Sequence, residues 1–473
     1  MTDVRRDVAA PVLLLCYGMT VATSSVVRYR LGIVVVYAAL AAALAWYALR
    51  RRPPALLDRP TAVVALGAVA LSHVTVRSYT YLHPGDARAV RLGLAATAIL
   101  AAAALAAPLA AGRGPLAHRL AGRLAGRSAD AALVAAVAGY LAVAAVLVHL
   151  DPRPKIDVWV TLQQAADAIA RGDNMYAVRW TDSPGVQDAF TYLPLTGLLL
   201  APGRWLAGDV RWALVAVTVG AVLVVRALPG RDAGPDARVA AAGTGALLLL
   251  LPGTPTQVEQ GWTEPLLFAC LAGWALGVHR GRTGIAVACL ALGVASKQHL
   301  VLLLPLLAAW PGFGPRRTAA AAGLAGVLVL PWFVASPADF WHDTVTVLVD
   351  FQPLVFADTL FVAAINEWGW TPPFWLTGAA VLGVLAVAVR AVRRDGVDLA
   401  TVLRCGALVL FAANLVNKQA FYNQYWLVAA LVLLSWAVPA TAGAADGADG
   451  ADGADGEDAV TARPESRPAA AGA

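Results

Sequence analysis

Asp157 stands just before a run whose apolar positions, Val158, Leu162, Ala165, Ala166 and Ile169, recur at helical spacing until Gly172-Asp173-Asn174 stops it. A short amphipathic helix of this kind lies along a membrane surface and holds its acid at the lipid–water boundary, beside any lipid-linked substrate. An acid just before a helix also serves as its cap, so spacing alone leaves capping and catalysis both open. The enclosing stretch, DPRPKIDVWVTLQQAADAIARGDNMYAVRWTDSPGVQDAFTY (151–192), is a polar island between long apolar runs and carries more acid than any other inter-helical segment. Farther along, Glu259, Gln260, Glu264, Lys297, His299 and Lys418 sit within or at the edge of apolar sequence. Ionisable groups at membrane depth default to functional roles. The plainer alternatives are a Lys297 that snorkels to the interface, a His299 hydrogen-bonded in the core and a Glu264 that caps its helix.

The elements that must position these residues are membrane helices. Of 473 residues 59% are hydrophobic and 14% charged, with mean hydropathy +0.66; a soluble domain carries roughly 25% charged residues. Leu31–Leu49 and Ala131–Val148 contain no charge and match the ~20 residues that cross ~30 Å of hydrocarbon. Backbone polar groups find no water there, so such runs are helical. The expected fold is an all-α polytopic transmembrane helical bundle of about 11–15 spans. Candidate spans lie near 9–27, 31–49, 61–77, 92–111 and 131–150 before the island. After it they lie near 190–206, 211–228, 239–254, 263–279, 283–297, 300–312, 318–335, 373–391, 400–416 and 424–439.

Basic clusters orient the bundle. Arg50-Arg51-Arg52, Arg113 to Arg127, His279 to Arg282, Arg316-Arg317 and Arg390 to Arg394 are cytoplasmic under the positive-inside rule. That places 151–189, 253–264, 296–299, 336–372 and 414–424 together on the external face. If the loop at Arg231 to Arg238 is cytoplasmic as well, only an odd number of crossings fits between 190 and 228, where two candidates stand. Either Tyr192–Leu206 is re-entrant or a short helix elsewhere is miscounted. Arg5 and Arg6 precede an apolar stretch without a clear cleavage site and read as a retained signal anchor. The tail 441–473, built on Ala-Asp-Gly repeats, reads as a disordered cytoplasmic extension. The formal charge of +6 comes from short loops, not from a basic stripe, which argues against nucleic acid. Cys16, Cys270, Cys289 and Cys405 lack the paired spacing of disulfides or a zinc site. Most of the boundary tryptophans fit an interfacial aromatic belt.

Asp157, then Ala165, Ile169, Gly172, Asn174 and Tyr176, then Tyr192-Leu193-Pro194-Leu195 with Pro202 downstream, resemble the first external loop of GT-C membrane glycosyltransferases. The branch they resemble most is the bacterial polyprenyl-phosphate-mannose-dependent α-(1→2)-mannosyltransferases. Gln260-Gly261, Ser296-Lys297-Gln298-His299-Leu300 and the polar turn Asn417 to Tyr425 extend the resemblance over roughly 131–440. The sequence departs from that pattern at Leu193, where the family has proline, and in the helices before the loop. The implied plan is an N-terminal helical extension (1–130) joined to a GT-C-like core (131–440) whose catalytic loop is 151–189.

The resemblance implies an inverting transfer of a sugar, mannose in that branch, from a polyprenyl-phosphate donor to a lipid or glycan acceptor in the cell envelope. It implies Asp157 as general base, Lys297, His299 and Lys418 (with Arg153 and Lys155 as further candidates) on the donor phosphate, and Tyr176, Tyr192, Gln260, Glu264 and Tyr422 as substrate contacts. It calls for membrane lipids as surroundings and for no cofactor; a metal requirement stays open. The competing class is a transporter or flippase of lipid-linked saccharide, which would show paired midplane charges and internal repeats. No such repeat is evident.

Overall fold

The computed structural model describes residues 28–50, 56–76, 81–109, 115–230 and 233–439, with 115–125 described as backbone only. The expected span near 9–27, Cys16 and the tail 441–473 lie outside these residues. The regular structure described is all helical. In chain order the helices are α1 (Leu31–Leu49), α2 (Arg59–Thr75), α3 (Pro84–Ala106), α4 (Pro115–Leu150), α5 (Asp157–Arg171), α6 (Pro194–Ala207) and α7 (Arg211–Ala227). Then come α8 (Pro235–Leu250), α9 (Gly253–Gln260), α10 (Glu264–His279), α11 (Thr283–Val294), α12 (Leu304–Ala309) and α13 (Gly314–Ala335). Last are α14 (Pro337–Trp341), α15 (Val347–Asp350), α16 (Leu360–Trp368), α17 (Phe374–Val392), α18 (Leu399–Leu415) and α19 (Tyr422–Ala437). This is a multi-pass helical membrane protein.

Five described helices are long and apolar enough to cross a membrane, and two bent pairs bring these to seven. Four further apolar helices of 10–17 residues take the candidates to eleven. One bent pair is α6 and α7, whose axes meet at 115°, so this stretch is not two successive straight crossings. By its geometry the pair is either one broken span or a span with a re-entrant element. Gly203 makes the bend possible: a Cβ there would stand 2.6 Å from the Ala213 amide nitrogen and 2.8 Å from the Asp209 carbonyl.

The amphipathic helix forms where its periodicity predicts. Gly172 ends α5 at φ 81°, and the amides of Gly172 and Asp173 return to the carbonyls of Ile169 and Ala168, a left-handed close that glycine adopts without a Cβ penalty. Its apolar stripe is taken up by protein. Leu162, Ala165 and Ala166 pack in a cluster with Met175, Tyr176, Phe190 and Leu200. Arg204 of α6 grips Asp167 of α5 at 2.8 and 3.0 Å.

The helices before residue 130 belong to the same compact unit as those after it. Tyr37 of α1 stacks on Tyr425 of α19 at 4.1 Å, and Trp436 Nε1 donates to Tyr47 Oη at 2.9 Å. α1 therefore packs directly on the last described helix.

Candidate active site

A cavity of about 490 Å³ opens where six stretches of chain meet, a size typical of small-molecule sites. Ile156, Asp157, Val158 and Val186 come from the island, Gln260 and Trp262 from the α9–α10 turn, and Lys297 to His299 from the turn after α11. The 348–358 stretch and the 417–425 turn close the other side. Each of the five segments that charge asymmetry assigns to one face contributes to this wall.

Asp157 is the first residue of α5, and its Oδ1 accepts the Val158 N–H at 2.8 Å. The carboxylate thus contacts the helix start and the cavity at once. Its other oxygen lies against Gly185, where an added Cβ would come within 2.5 Å. A buried network fixes the chain on both sides of it. Trp159 Nε1 donates to Asp209 at 3.2 Å, Arg211 pairs with Asp209 at 2.7 Å, and Arg211 Nη2 donates to the Asp151 carbonyl at 2.8 Å. Arg211 has no exposed side-chain surface, so this clamp is shielded from solvent competition.

Lys297 is held across the cavity. Its Nζ lies 2.6 Å from Glu264 Oε1, 3.3 Å from Thr263 Oγ1 and 5.3 Å from the centre of the Tyr192 ring. Glu264 is fully buried and lies outside the cavity wall, so it supports the lysine rather than facing a ligand. Lys418 differs. Its Nζ donates to the Val349 carbonyl at 2.6 Å, and no carboxylate lies within ion-pair distance of it among the described residues. Partial burial lowers its pKa, which Asp350 partly offsets. It is the wall cation best placed to meet an anion.

Of the residues expected at the site, Asp157, Lys297, His299, Lys418, Tyr192, Gln260 and Tyr422 line the cavity. Tyr422 packs edge-on to Trp262 at 4.5 Å between centroids. Tyr176 does not reach the cavity. Its ring sits among Phe190, Trp332 and Phe340, and its hydroxyl donates to the Tyr192 carbonyl at 2.9 Å. It positions Tyr192 from behind. Arg153 and Lys155 are exposed outside the wall.

Several wall or support residues were not among the expected ones. Tyr81 and Asp358 line the cavity, and Asp343 stands behind it. Asp343 Oδ2 accepts the Phe190 N–H at 2.7 Å, while Gln298 Nε2 donates to the carbonyls of Thr191 and Thr344. Together they tie 190–192 to the π-helical turn His342–Thr346. Among the described residues, no group of three or more His, Cys, Asp or Glu side chains is arranged to hold a metal.

Burial pushes the Asp343 carboxyl up from 3.8 to about 6, against the opposing pull of His342 and the Phe190 N–H. Between those values the folded chain keeps a proton that the unfolded chain gives up, so this group favours folding more as pH falls through that window. The melting temperature in detergent is expected to be higher at pH 5 than at pH 7.5. Asp343→Asn keeps an acceptor for Phe190 and is expected to raise the pH 7.5 value and flatten the dependence. A variant curve as steep as that of the wild type would remove Asp343 as its source.

Fold and site define a multi-pass helical membrane protein with a partly open cavity whose wall brings acid, base, aromatic and aliphatic side chains together. No family model and no curated protein matches the chain. Among solved structures it is similar to the crystal structure of ArnT from Cupriavidus metallidurans bound to undecaprenyl phosphate. That match has 19% identity and a TM-score of 0.43, and covers 63% of this chain and 59% of the other.

Proposed function

We propose that this chain is an integral-membrane glycosyltransferase that moves a sugar, mannose in the finer reading, from a polyprenyl-phosphate donor to a lipid or glycan acceptor on the extracytoplasmic face of the plasma membrane. The observation that carries this reading is the meeting, in one cavity, of the Asp157 carboxylate, the Lys418 ammonium and an apolar side formed by Leu348, Phe351, Leu354 and Phe356. An acceptor hydroxyl attacks the anomeric carbon. Asp157 takes its proton as the new C–O bond forms, and the bond to the polyprenyl phosphate breaks with the electron pair leaving on the phosphate oxygen. Lys418 and Lys297 offset the charge that develops there. Inversion in one step needs a single base and no nucleophilic carboxylate. The sugar arrives already activated by its phosphate.

Membranes carrying the chain, supplied with a panel of radiolabelled polyprenyl-phosphate sugars and envelope acceptors, are expected to form a glycosylated product with at least one donor. Movement of the intact donor between leaflets without bond cleavage would replace this reading with a flippase. Lys418→Ala is expected to raise the KM for the donor by about tenfold, the scale of one charged hydrogen bond, and to leave the acceptor KM near its original value. Equal changes in both would show that Lys418 does not hold the phosphate.

A further inference from the structure

We infer that Asp358 is a second functional carboxylate of this site, one that receives hydrogen bonds from the hydroxyls of a sugar. The inference rests on the glycosyltransferase reading and adds to it a specificity residue on the wall opposite α5.

Asp358 lies in the stretch between α15 and α16 and lines the cavity while remaining 5% exposed. Three parts of the chain hold it. Its Oδ1 accepts the backbone N–H of Arg30 at 2.8 Å from 328 positions away in the sequence. Its carbonyl accepts the Tyr425 hydroxyl at 3.1 Å, and Tyr425 is stacked on Tyr37 of α1. Thr359, the next residue, caps α16 by accepting the Val362 N–H at 3.1 Å. Its backbone and Oδ1 are thus fixed, and Oδ2 has no hydrogen-bond partner among the described residues.

A carboxylate buried at this depth is costly unless its oxygens are satisfied. The Arg30 N–H satisfies one of them, and a ligand in the cavity would satisfy the other. The charged and titratable groups around Asp358 are Arg30, Tyr29 with its partner Glu367, Tyr425 and Tyr37. None forms an ion pair with it within 4 Å among the described residues, so the carboxylate is not consumed by a structural salt bridge. Burial raises its pKa from 3.8 to about 6, and an ionised carboxylate is an acceptor only. Sugar hydroxyls are matching donors in a cavity that also presents the rings of Tyr81, Tyr192, Trp262 and Tyr422. Arg30, just before α1, thus fixes the aim of Asp358.

The test uses the full chain in nanodiscs with a donor and acceptor pair that supports transfer. Asp358→Asn keeps an oxygen for the Arg30 N–H but loses the charge and one acceptor. It is expected to lower kcat/KM by about tenfold to a hundredfold, the range for hydrogen bonds to charged groups. The melting temperature at pH 7.5 is expected at or above that of the wild type, since the raised carboxyl pKa costs stability there. KM measured separately for donor and acceptor identifies which sugar makes the contact. Wild-type activity is expected to fall on the acid side around pH 6, and that limb is expected to be absent in the variant.

Transfer by Asp358→Asn at the wild-type rate and with the wild-type pH profile overturns the inference and leaves Asp358 an anchor for Arg30. If that variant does not fold, Arg30→Ala keeps the clamping N–H and removes the positive charge that holds the Asp358 carboxyl down. The loss raises the carboxyl pKa, so the acid limb is expected to move to higher pH, and an unmoved limb overturns the inference equally. Absence of transfer by the wild type from every donor tried removes the functional reading, and this inference with it. Transfer abolished by Asp157→Asn but untouched by Asp358→Asn removes the inference alone.

Discussion

Asp157→Asn is expected to lower sugar transfer by about 10²- to 10⁴-fold, the range contributed by a positioned general base, while the protein still folds and inserts. The substitution separates two jobs that one carboxylate does here. Its Oδ1 accepts the Val158 N–H at the start of α5, and an asparagine oxygen can accept the same bond. Asparagine cannot take a proton from an attacking hydroxyl. The clamp of Trp159, Asp209, Arg211 and the Asp151 carbonyl stays intact, so the position of residue 157 is held in the variant. Asp157→Ala removes both roles and is expected to lower the melting temperature as well, since an acid in the first turn of a helix contributes about 0.3–1 kcal/mol through the helix dipole. Transfer by Asp157→Asn at the normal rate, followed with a radiolabelled polyprenyl-phosphate sugar, would reduce Asp157 to a helix-start contact packed on Gly185.

The parts of this site that were legible in the sequence are those with a local or compositional signature. The span of α5 follows from apolar spacing and a terminating glycine, both confined to a short window. The convergence of five polar segments follows from the alternation of basic loops along the chain, which needs no knowledge of packing. What was not legible depends on tertiary burial. Asp209 and Arg211 are two residues apart and look like a polar turn. Only the 115° bend between α6 and α7 seals them into a pair. Asp358 reads as a loop acid between Ala357 and Thr359, and its partner is a backbone N–H, which leaves no trace in residue type. Tyr176 misled in the opposite direction. Its motif pointed to substrate, but an aromatic flanked by Met175 and near Phe190 found its place in the cluster under α5. An aromatic at a loop turn serves packing or stacking equally well from sequence, and the neighbours decide.

The pair Glu264–Lys297 carries the other large effect, and its two halves are expected to respond differently. Glu264 has no exposed surface and Lys297 retains 15%, so removing either partner strands a charge where water cannot fully solvate it. Breaking such a pair costs about 3–5 kcal/mol, whereas replacing both members with apolar side chains of similar volume is often neutral or stabilising. Glu264→Leu and Lys297→Met are each expected to lower the melting temperature markedly, and the double variant to recover most of the loss. Transfer is expected not to recover with it. Lys297 has three N–H donors, of which Glu264 and Thr263 engage two, and the third is available to the cavity that the lysine lines. If that donor meets the departing phosphate, the refolded double variant shows a raised donor KM and a lowered kcat with little change in acceptor KM. If stability and transfer return together, Lys297 acts only by holding Tyr192 and the α9–α10 turn in place. A change confined to acceptor KM would exclude a phosphate role for Lys297. Lys418, tied to a carbonyl and to no carboxylate, would then be the cation left to receive the leaving group.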